Sequence, residues 1–271
     1  MLAIKNNIMA ANAARHLGSS YDKLAQSVER LSSGLRINGA KDDAAGMAVR
    51  ELMRADIAVL QQGARNAMDG ISMLQTFEGA MGTIDEALVR MKQLAEQAAT
   101  GSYSGEQRTI MNNEFAEMAE EIKRIANATT FNGNELLNNS AASIAIQFGA
   151  ADTDVVNVDG CDVTSSALGL STASIGTVQA AQSALGTVAA AITTKDTARA
   201  AFGYKMNRLE STISVINNQT ENLMAAESRI SDVDVATEMA AMTRTQVLAQ
   251  AGVSMLAQAN TVPQMALSLL R

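Results

Sequence analysis

The side chains that could support catalysis are few and scattered along this sequence of 271 residues. His16 is the sole histidine, so a nucleophile–base–orienter set would lack its ordinary base. Cys161 is the sole cysteine and can form neither an internal disulfide nor a thiolate metal cluster. There is no HExxH pair and no GxxxxGK[ST] loop, and Gly34, Gly39 and Gly46 are spaced too widely for a dinucleotide-binding turn. We therefore expect no active site, no metal and no cofactor.

Charge and composition exclude two further classes of protein. The net charge of −7 disfavours a nucleic-acid binder, which needs a basic face. No apolar run reaches the roughly 18 residues that a membrane span requires, so no membrane partner is expected. The first eight residues hold no uninterrupted apolar core, and we expect no cleaved secretory signal. Aromatic residues make up 3% of the chain and there is one proline, a composition that suits thin layers of long, uninterrupted helices.

Both ends of the chain carry an apolar stripe at helical spacing. Near the start, residues step by four and three: Leu17, Tyr21, Leu24, Val28, Leu31 and Leu35. Near the end, the same seven-residue spacing is kept by Met239, Met242, Ala249, Val253 and Leu256, with Gln246 and Asn260 in polar positions. Stripes of this kind are typical of helices that pack lengthwise against other helices.

The longest helical pattern is internal and covers residues 53–98. Its four-three rhythm contains one local slip, at Leu74 and Phe77. As a single helix this stretch would be about 70 Å long. A compact globule of 271 residues would be only about 50 Å across. The pattern therefore predicts an elongated rod.

Shorter signals place the remaining elements. Ser104 and Gln107 form a capping-box pattern that begins a helix, and Asn132-Gly133 marks the turn after it. Alternating apolar residues predict a small β-hairpin near residues 143–160. Helical spacing resumes near Ser174, and residues 231–234 form a second capping pattern before the last helix. The expected fold is mainly α: an elongated helical rod of long antiparallel helices, with a terminal helix pair and one small β-hairpin.

The terminal segments, residues 1–35 and 235–271, are not expected to fold alone. Fixing their backbones costs on the order of 100 kcal/mol, and some twenty large apolar side chains regain about 1.5–3 kcal/mol each when buried. A two-helix pair covers only part of each stripe, so we expect order to come with self-assembly. Periodicity alone leaves open that the ends pack onto the chain's own middle in a monomeric bundle.

Several long segments resemble bacterial flagellins, in the right order and across nearly the whole chain. Residues 31–49 resemble the link motif of that family, and Thr130–Gly133 with Leu136-Leu137 is similar to the end of its second core helix. The chain start resembles a flagellin N-terminus at Ile4, Asn6, Asn7 and Ala10. The end resembles the flagellin tail, with Ala257–Asn260, Pro263-Gln264 and Leu267–Arg271.

The resemblance implies two domains. Residues 1–46 and 219–271 would form a terminal coiled-coil domain with linking segments, the inner tube of a filament. Residues 47–218 would form an outer helical rod with the hairpin. The residues that we expect to pack in the filament core are Leu17, Leu24, Val28, Leu31, Leu35, Met242, Val253 and Leu256. The segment after the hairpin is too short for the large outer domains that many members carry.

The resemblance also implies a function and partners. The chain would be a structural protein, not an enzyme, which self-assembles into the helical flagellar filament for swimming and is secreted to the extracellular flagellum. Its partners would be further copies of itself, an export chaperone, and the cap and junction proteins. Toll-like receptor 5 of animal hosts would contact Arg90, Leu94 and Glu114, although Gln93 stands where the family usually has Glu.

A flagellar hook–filament junction protein is the alternative, because such proteins share the terminal pattern. The tail from Pro263 to Arg271 favours the filament subunit.

Overall fold

The computed structural model describes the backbone of residues 6–268 and the side chains of residues 6–262. The expected tail from Pro263 to Arg271 and the expected match at Ile4 lie outside these side chains. Within the described residues there are five helices and one two-stranded antiparallel sheet, which confirms the mainly α fold class. In chain order they are α1 (Ile8–Ser33), α2 (Ala44–Ala99), α3 (Gly105–Ala128), β1 (Ser143–Gln147), β2 (Val155–Asp159), α4 (Val178–Ser231) and α5 (Val235–Ser268).

The residues group into two units by their contacts. One unit comprises the described parts of Met1–Ala55 and Asn222–Arg271, and the other comprises Asp56–Glu221. We call these the terminal unit and the central unit. The terminal unit contains α1, α5 and the two chain segments that join them to the rest of the protein.

The expected helix over residues 53–98 is confirmed and is longer than its apolar pattern. α2 runs unbroken for 56 residues from Ala44. Leu74 and Phe77, where the spacing slips, are both fully buried. α2 ends where the Arg108 guanidinium of α3 donates hydrogen bonds to the carbonyls of Ala98 and Thr100, at 3.0 Å each. Carbonyls at the end of a helix have no N–H donor within the helix, and the arginine supplies donors to these two.

The core of the central unit is formed by three helices, the hairpin and the loops on either side of the hairpin. α2 supplies the largest share of its buried apolar side chains, including Phe77, Met81 and Leu88. The other elements contribute Phe115 and Ile122 from α3, Val188, Phe202 and Leu209 from α4, and Ile146, Val156 and Val158 from the hairpin. These faces are the apolar stripes that the sequence pattern predicts, and their burial is the main favourable term in folding.

The predicted caps and the predicted hairpin are confirmed. The Ser104 side chain accepts a hydrogen bond from the Gln107 N–H, and the Gln107 side chain accepts one from the Ser104 N–H. Asn132 and Gly133 both have positive φ, at 49° and 79°, in the turn that follows α3. The hairpin pairs Ser143 with Asp159 and Gln147 with Val155. α4 begins at Val178, slightly later than the expected start near Ser174.

The hairpin rests on two glycines of α2. A Cβ at Gly63 would overlap the Phe148 carbonyl, and one at Gly70 would overlap the Ile146 side chain. Between them on the same helix face, the Asn66 side chain donates a 2.9 Å hydrogen bond to the Gln147 carbonyl. Only residues without a side chain allow the strand backbone to approach the helix this closely.

A matched pair of glycine substitutions tests this contact. Gly63→Ala should lower the free energy of unfolding by about 2–3 kcal/mol, because the new methyl group forces the hairpin away from the helix. Gly79→Ala, on an open stretch of the same helix, should raise it by about 0.5–1 kcal/mol through helix propensity. Urea unfolding of the unpolymerised protein, followed by circular dichroism, measures both. Equal effects of the two substitutions would show that the hairpin does not depend on Gly63.

Candidate assembly surface

α1 and α5 form an antiparallel pair in the terminal unit. Near one end the Asn7 side chain donates a 2.8 Å hydrogen bond to the Ala259 carbonyl. In the middle, Leu17 packs against Gly252, where an added Cβ would lie 3.1 Å from its Cδ1. Near the other end, the Ser27 hydroxyl donates to Glu238 at 2.5 Å. Residue numbers rise along α1 as they fall along α5, so the two ends of the chain lie side by side.

This pair covers its apolar stripes only in part. Val28 and Val253 remain 50% and 48% exposed. Five other residues of the predicted filament core lie in the two helices and are half-buried: Leu17, Leu24, Leu31, Met242 and Leu256. In contrast, the stripe of α2 between residues 73 and 98 is almost wholly buried. The terminal helices therefore leave more of their apolar stripes exposed than this stretch of α2 does.

Leu35 differs from its predicted place in the stripe. α1 ends at Ser33, and Gly34 takes a left-handed conformation with φ 73° whose N–H is bonded to the Arg30 carbonyl. This glycine cap turns the chain out of the helix. Leu35 follows it and forms an isolated antiparallel bridge with Asp232. The expectation that Leu35 continues the helical stripe is therefore wrong, because the four-residue step from Leu31 crosses the end of the helix.

α5 carries little charge, and apolar side chains occur on several of its sides. Its 34 residues include two charged side chains, Glu238 and Arg244, and its other polar residues are uncharged Thr, Ser, Gln and Asn. A cluster of exposed apolar side chains favours contact with another molecule. Here Gly252 and Ala259 face α1, whereas large apolar side chains remain exposed away from it: Val235, Met239, Val247, Leu248, Val253 and Met255.

An apolar groove runs along one side of the helix pair. It has a volume of about 370 Å³ and is lined by Tyr21 and Leu24 of α1 and by Gln246, Ala249, Gln250 and Val253 of α5. Tyr21 and Val253 are about half exposed on its walls. The groove offers a surface on which an apolar side chain of another molecule can pack.

The ends of α1 and α4 are tied together beside this surface. The Arg36 N–H donates to the Ser231 carbonyl at 2.7 Å, and the Val233 N–H donates to the Gly34 carbonyl at 3.1 Å. The Arg36 guanidinium also donates to the Ile230 carbonyl, at 2.7 and 3.2 Å. These bonds satisfy the last carbonyls of α4 and fix where α5 begins.

Two carboxylates hold the loops of the terminal unit. Asp42 accepts hydrogen bonds from the backbone N–H groups of Asn38 and Gly39, which hold the pKa of its carboxyl below the usual range. Asp234 caps α5, and the hydroxyl and backbone N–H of Thr237, with the N–H of Ala236, lower the pKa of its carboxyl. The predicted capping role of residues 231–234 is thereby confirmed at Asp234.

These carboxylates predict loss of stability in acid. A carboxyl whose pKa is lowered by folding contributes stability above its unfolded pKa, near 3.8, and loses that contribution as the pH falls through its folded pKa. The thermal midpoint of the unpolymerised protein should therefore fall more steeply below pH 4 than that of a D42N/D234N variant. Asparagine keeps an oxygen that can accept these hydrogen bonds but carries no charge, so the parent should be the more stable protein at pH 7 and the two curves should converge in acid. If the thermal midpoints of the two proteins changed in parallel over the whole pH range, Asp42 and Asp234 would not be the cause of the acid sensitivity.

The expected receptor residues lie in the central unit. The Arg90 guanidinium and the Glu114 carboxylate form an ion pair with a shortest N–O distance of 2.6 Å, and both side chains are more than 40% exposed. Leu94 is 2% exposed and belongs to the core. A partner that docked here would touch the ion pair, and Leu94 would act by supporting the helix beneath it.

The few groups suited to chemistry lie apart from one another. His16 is exposed on α1, and burial raises the pKa of the Cys161 thiol to about 11, with a smaller contribution from Asp162. In the described part of the chain, no three His, Cys, Asp or Glu side chains lie together as metal ligands. No helix among the described residues is both long and apolar enough to cross a bilayer.

The helical fold and the partly covered helix pair at the two chain ends define a mainly α protein whose terminal helices leave apolar side chains exposed. Residues 4–142 match the family model for the bacterial flagellin N-terminal helical region, and residues 185–270 match that for the bacterial flagellin C-terminal helical region. The chain is 42% identical to a flagellin of Halalkalibacterium halodurans, over the full length of both proteins. It is 36% identical to the Bacillus subtilis flagellin, again over the full length of both. The chain belongs to the bacterial flagellin family.

Further relatives agree with this assignment. A 33 kDa core protein of the flagellar filament from Treponema phagedenis is 40% identical over the full length of both chains. The crystal structure of Bacillus cereus flagellin is 30% identical, with a TM-score of 0.52, and covers 60% of this chain and 94% of its own. A flagellar hook-associated protein of Vibrio parahaemolyticus has a TM-score of 0.60 and covers 70% of this chain and 100% of its own. Its 13% identity shows a shared fold alone.

The protein is therefore a structural subunit that self-assembles into the bacterial flagellar filament, the extracellular organelle of motility. Nothing in these comparisons favours the alternative of a hook–filament junction protein.

Proposed function

We propose that the α1–α5 pair is the surface through which successive subunits of the filament join. In this proposal residues 1–46 and 219–271 form the inner tube with its linking segments, and residues 47–218 form the outer rod. The contacts of the chain, which separate Asp56–Glu221 from the two terminal segments, support a division close to these boundaries.

The observation that carries this proposal is the exposed apolar surface of α5. The helix has two charged residues in 34, and six large apolar side chains among its described residues are exposed. α1 covers one side, and the exposed side chains at Leu248, Val253 and Met255 lie on other sides. Further copies of the same chain provide the missing cover, because each copy brings the same incompletely covered helices.

The predicted packing residues take different parts in this contact. Val28 and Val253 are the most exposed of them and would be buried mainly by neighbouring subunits. Leu17, Leu24, Leu31, Met242 and Leu256 are half-buried within the pair, and neighbours would complete their burial. A patch that docks onto a different patch of the next copy gives head-to-tail growth, which becomes a helical filament when the rotation does not close.

Ordering of the terminal helices is coupled to this assembly. Burial of apolar surface stabilises a protein by about 25 cal/mol for each Å² removed from water. In a single subunit the large exposed side chains of α1 and α5 do not contribute this stabilisation. The loss of backbone entropy on ordering both helices is the same in the subunit as in the filament. We therefore expect the pair to open readily in the dilute subunit and to close as the subunit joins the tip.

Hydrogen exchange on the unpolymerised subunit and on filaments tests this coupling. Amides of residues 8–33 and 235–262 should exchange at least about a hundredfold faster in the dilute subunit than in the filament, a difference of about 2.7 kcal/mol in opening free energy. Amides of the core stretch of α2 should be protected in both states. If the terminal helices were as strongly protected in the dilute subunit as in the filament, the proposal would be overturned.

Negative-stain microscopy of the protein after salting out should show long uniform tubes. Discrete particles would contradict self-assembly through this surface.

The exposed apolar surface of α5 also suggests a partner before assembly, an export chaperone. An exposed apolar helix is an aggregation hazard before assembly, and a dedicated export chaperone would cover α5 until the subunit leaves the cell. The subunit would be secreted through the flagellar export apparatus without cleavage, and cap and junction proteins would meet the ends of the filament. Loss of soluble subunit in cells without the chaperone, with rescue by a shortened α5, would support this role.

Recognition by Toll-like receptor 5 is proposed for the Arg90–Glu114 ion pair. Both side chains are accessible on the central unit, and Leu94 supports them from the core. A receptor reporter assay that compares Arg90→Ala with the parent, both as unpolymerised protein, tests this contact. An unchanged dose response would remove Arg90 from it.

A further inference from the structure

Several methionines lie on the proposed assembly surface with their thioethers open to solvent. Met9 of α1 and Met239 and Met255 of α5 are 67%, 45% and 63% exposed. The chain contains 16 methionines, and many of the others are enclosed. Four in the core of the central unit are almost wholly buried: Met73, Met81, Met91 and Met111. One chain thus presents exposed and enclosed methionines that differ sharply in access.

Met9, Met239 and Met255 are accessible to an oxidant in the single subunit and lie on the surface where a neighbouring subunit would pack. The hydrogen bond between Ser27 and Glu238 places Met239 level with Val28, one of the most exposed predicted packing residues. Met255 lies seven residues from Leu248, so the two share a second exposed apolar side of α5. Met9 lies near the start of α1, next to exposed Ile8.

We propose that these methionines make assembly sensitive to oxidation, and that polymerisation protects them. This inference rests on the proposed role of the α1–α5 pair as the assembly surface. Hydrogen peroxide transfers one oxygen atom to the thioether sulfur, the O–O bond breaks, and the products are a sulfoxide and water. The sulfur is oxidised by two electrons and the peroxide is reduced by two, with no other co-reactant.

The sulfoxide changes the surface without unfolding the subunit. A flexible apolar side chain becomes a polar one with a strong hydrogen-bond acceptor. In the lone subunit this oxygen is hydrated, since the side chain points into water. In the filament it would be enclosed among apolar side chains with no donor supplied for it, which is unfavourable. Oxidation therefore opposes joining while leaving the fold of the subunit intact.

Polymerised subunits are protected by the same contact. A methionine that packs against a neighbour is no longer open to peroxide, as the enclosed methionines of the central unit illustrate. The lesion is reversible, because methionine sulfoxide reductases restore the thioether at the expense of a thiol reductant. Oxidation of these methionines therefore depends on the oxidants that a subunit encounters before it joins the filament, and not on those present afterwards.

Peroxide treatment of full-length unpolymerised subunits and of preformed filaments tests the inference. Peptide mass mapping should find sulfoxide at Met9, Met239 and Met255 in the subunit well before it appears at Met73 and Met81. The same three positions should be oxidised at least about tenfold more slowly in filaments. The critical concentration for seeded growth of treated subunits, measured by sedimentation, should rise at least about tenfold. Far-ultraviolet circular dichroism should be unchanged, and reductase treatment should restore growth.

Substitution by leucine provides the matched control. A variant with Met9→Leu, Met239→Leu and Met255→Leu keeps the apolar volume and should polymerise after peroxide as it does before. Met68→Leu removes a half-exposed methionine of the central unit and should leave the parent's sensitivity unchanged. The inference is overturned if the triple variant loses growth as the parent does, or if parent subunits carrying all three sulfoxides grow normally.

The outcome separates this inference from the proposed assembly surface. If charged substitutions at Val28 and Val253 prevent growth but the three sulfoxides do not, the surface stands and its oxidation sensitivity fails. If neither the substitutions nor the sulfoxides affect growth, the proposed surface itself is wrong.

Discussion

Glutamate at both Val28 and Val253 is expected to abolish polymerisation while leaving the subunit folded. Both side chains are about half exposed in the single subunit, and glutamate is a good helix former, so neither helix should be lost. In the filament each carboxylate would be enclosed in apolar surroundings without a counter-charge, which costs several kcal/mol. Each 1.4 kcal/mol raises the critical concentration tenfold, so the double variant should require at least about a thousandfold more protein. Sedimentation after seeding measures the effect.

Leucine at the same two positions is the matched control. Val28→Leu with Val253→Leu keeps an apolar surface and should shift the critical concentration by less than about tenfold, as volume changes at a partly adaptable contact usually do. Charged residues at Leu31 and Leu256 should also block growth, but these side chains are half-buried within the pair and their loss would damage α1–α5 packing as well. Filaments of normal length from the Val28→Glu, Val253→Glu protein would refute the assigned surface.

Removal of both carboxylates around Lys195 is expected to be the most destabilising polar change in the central unit. The Lys195 side chain of α4 is 1% exposed, and its ammonium lies 2.5 Å from Asp85 of α2 and 2.7 Å from Asp196. The double variant Asp85→Asn, Asp196→Asn leaves a buried charge without compensation and should lower the free energy of unfolding by about 3 kcal/mol. Urea unfolding of the unpolymerised protein measures this loss.

The opposite change should be nearly neutral. Lys195→Met keeps most of the buried volume and leaves two carboxylates that are already partly exposed, so it should alter the free energy of unfolding by less than about 1 kcal/mol. Adding Lys195→Met to the double variant should recover most of the lost stability, because no unpaired buried charge remains. If the methionine and the paired asparagine variants lost equal stability, the burial of the ammonium would not be the cause.

The elements of the fold could be predicted because each has a strong local signal. The apolar spacing over residues 53–98, with its single slip, belongs to α2, and the mutual hydrogen bonds of Ser104 and Gln107 begin α3. The positive φ angles of Asn132 and Gly133 are those that an Asn-Gly turn favours. Helix and hairpin signals of this kind arise within a few residues of one another, so a single sequence contains them.

Helix ends were less predictable, since caps compete with periodicity. α2 begins at Ala44, nine residues before Met53, where its predicted apolar rhythm starts. Ala44, Ala45 and Ala48 are good helix formers that add no large apolar side chain to the pattern. Leu35 fits the spacing of α1 but lies beyond the glycine cap at Gly34. In this case backbone conformation overrides a pattern that side chains alone suggest.

Polar contacts between residues far apart in sequence could not be predicted, although one of them has a partial signal in the apolar pattern. Lys195 occupies a stripe position of α4, three residues after Ile192 and seven before Phe202, where an apolar residue would be expected. A charged residue in such a position indicates a buried ion pair, but its partner Asp85 is distant in sequence and has no local signal. The glycines at positions 63 and 70 likewise acquire their meaning only from the hairpin that rests on them.

The sequence pattern predicts the candidate surface but not how much of each side chain is exposed. The stripes predict which residues lie on the packing side of each helix, whereas the structure distinguishes Val28 and Val253, half open to solvent, from the more enclosed Leu17 and Leu24. Periodicity gives the direction in which a side chain points, and only the partner helix determines how much of it remains uncovered.

The pairing of the two chain ends has a consequence for the timing of synthesis. The hydrogen bonds that join α1 to α5 link residues 211 and 252 positions apart. At a translation rate of about 5–20 residues per second, α1 is synthesised roughly 10–50 seconds before its partner helix. Throughout that interval the first helix has nothing of its own chain to close against. A factor that keeps the new chain unfolded for export would therefore need only to prolong the unpaired state of α1 that exists during translation.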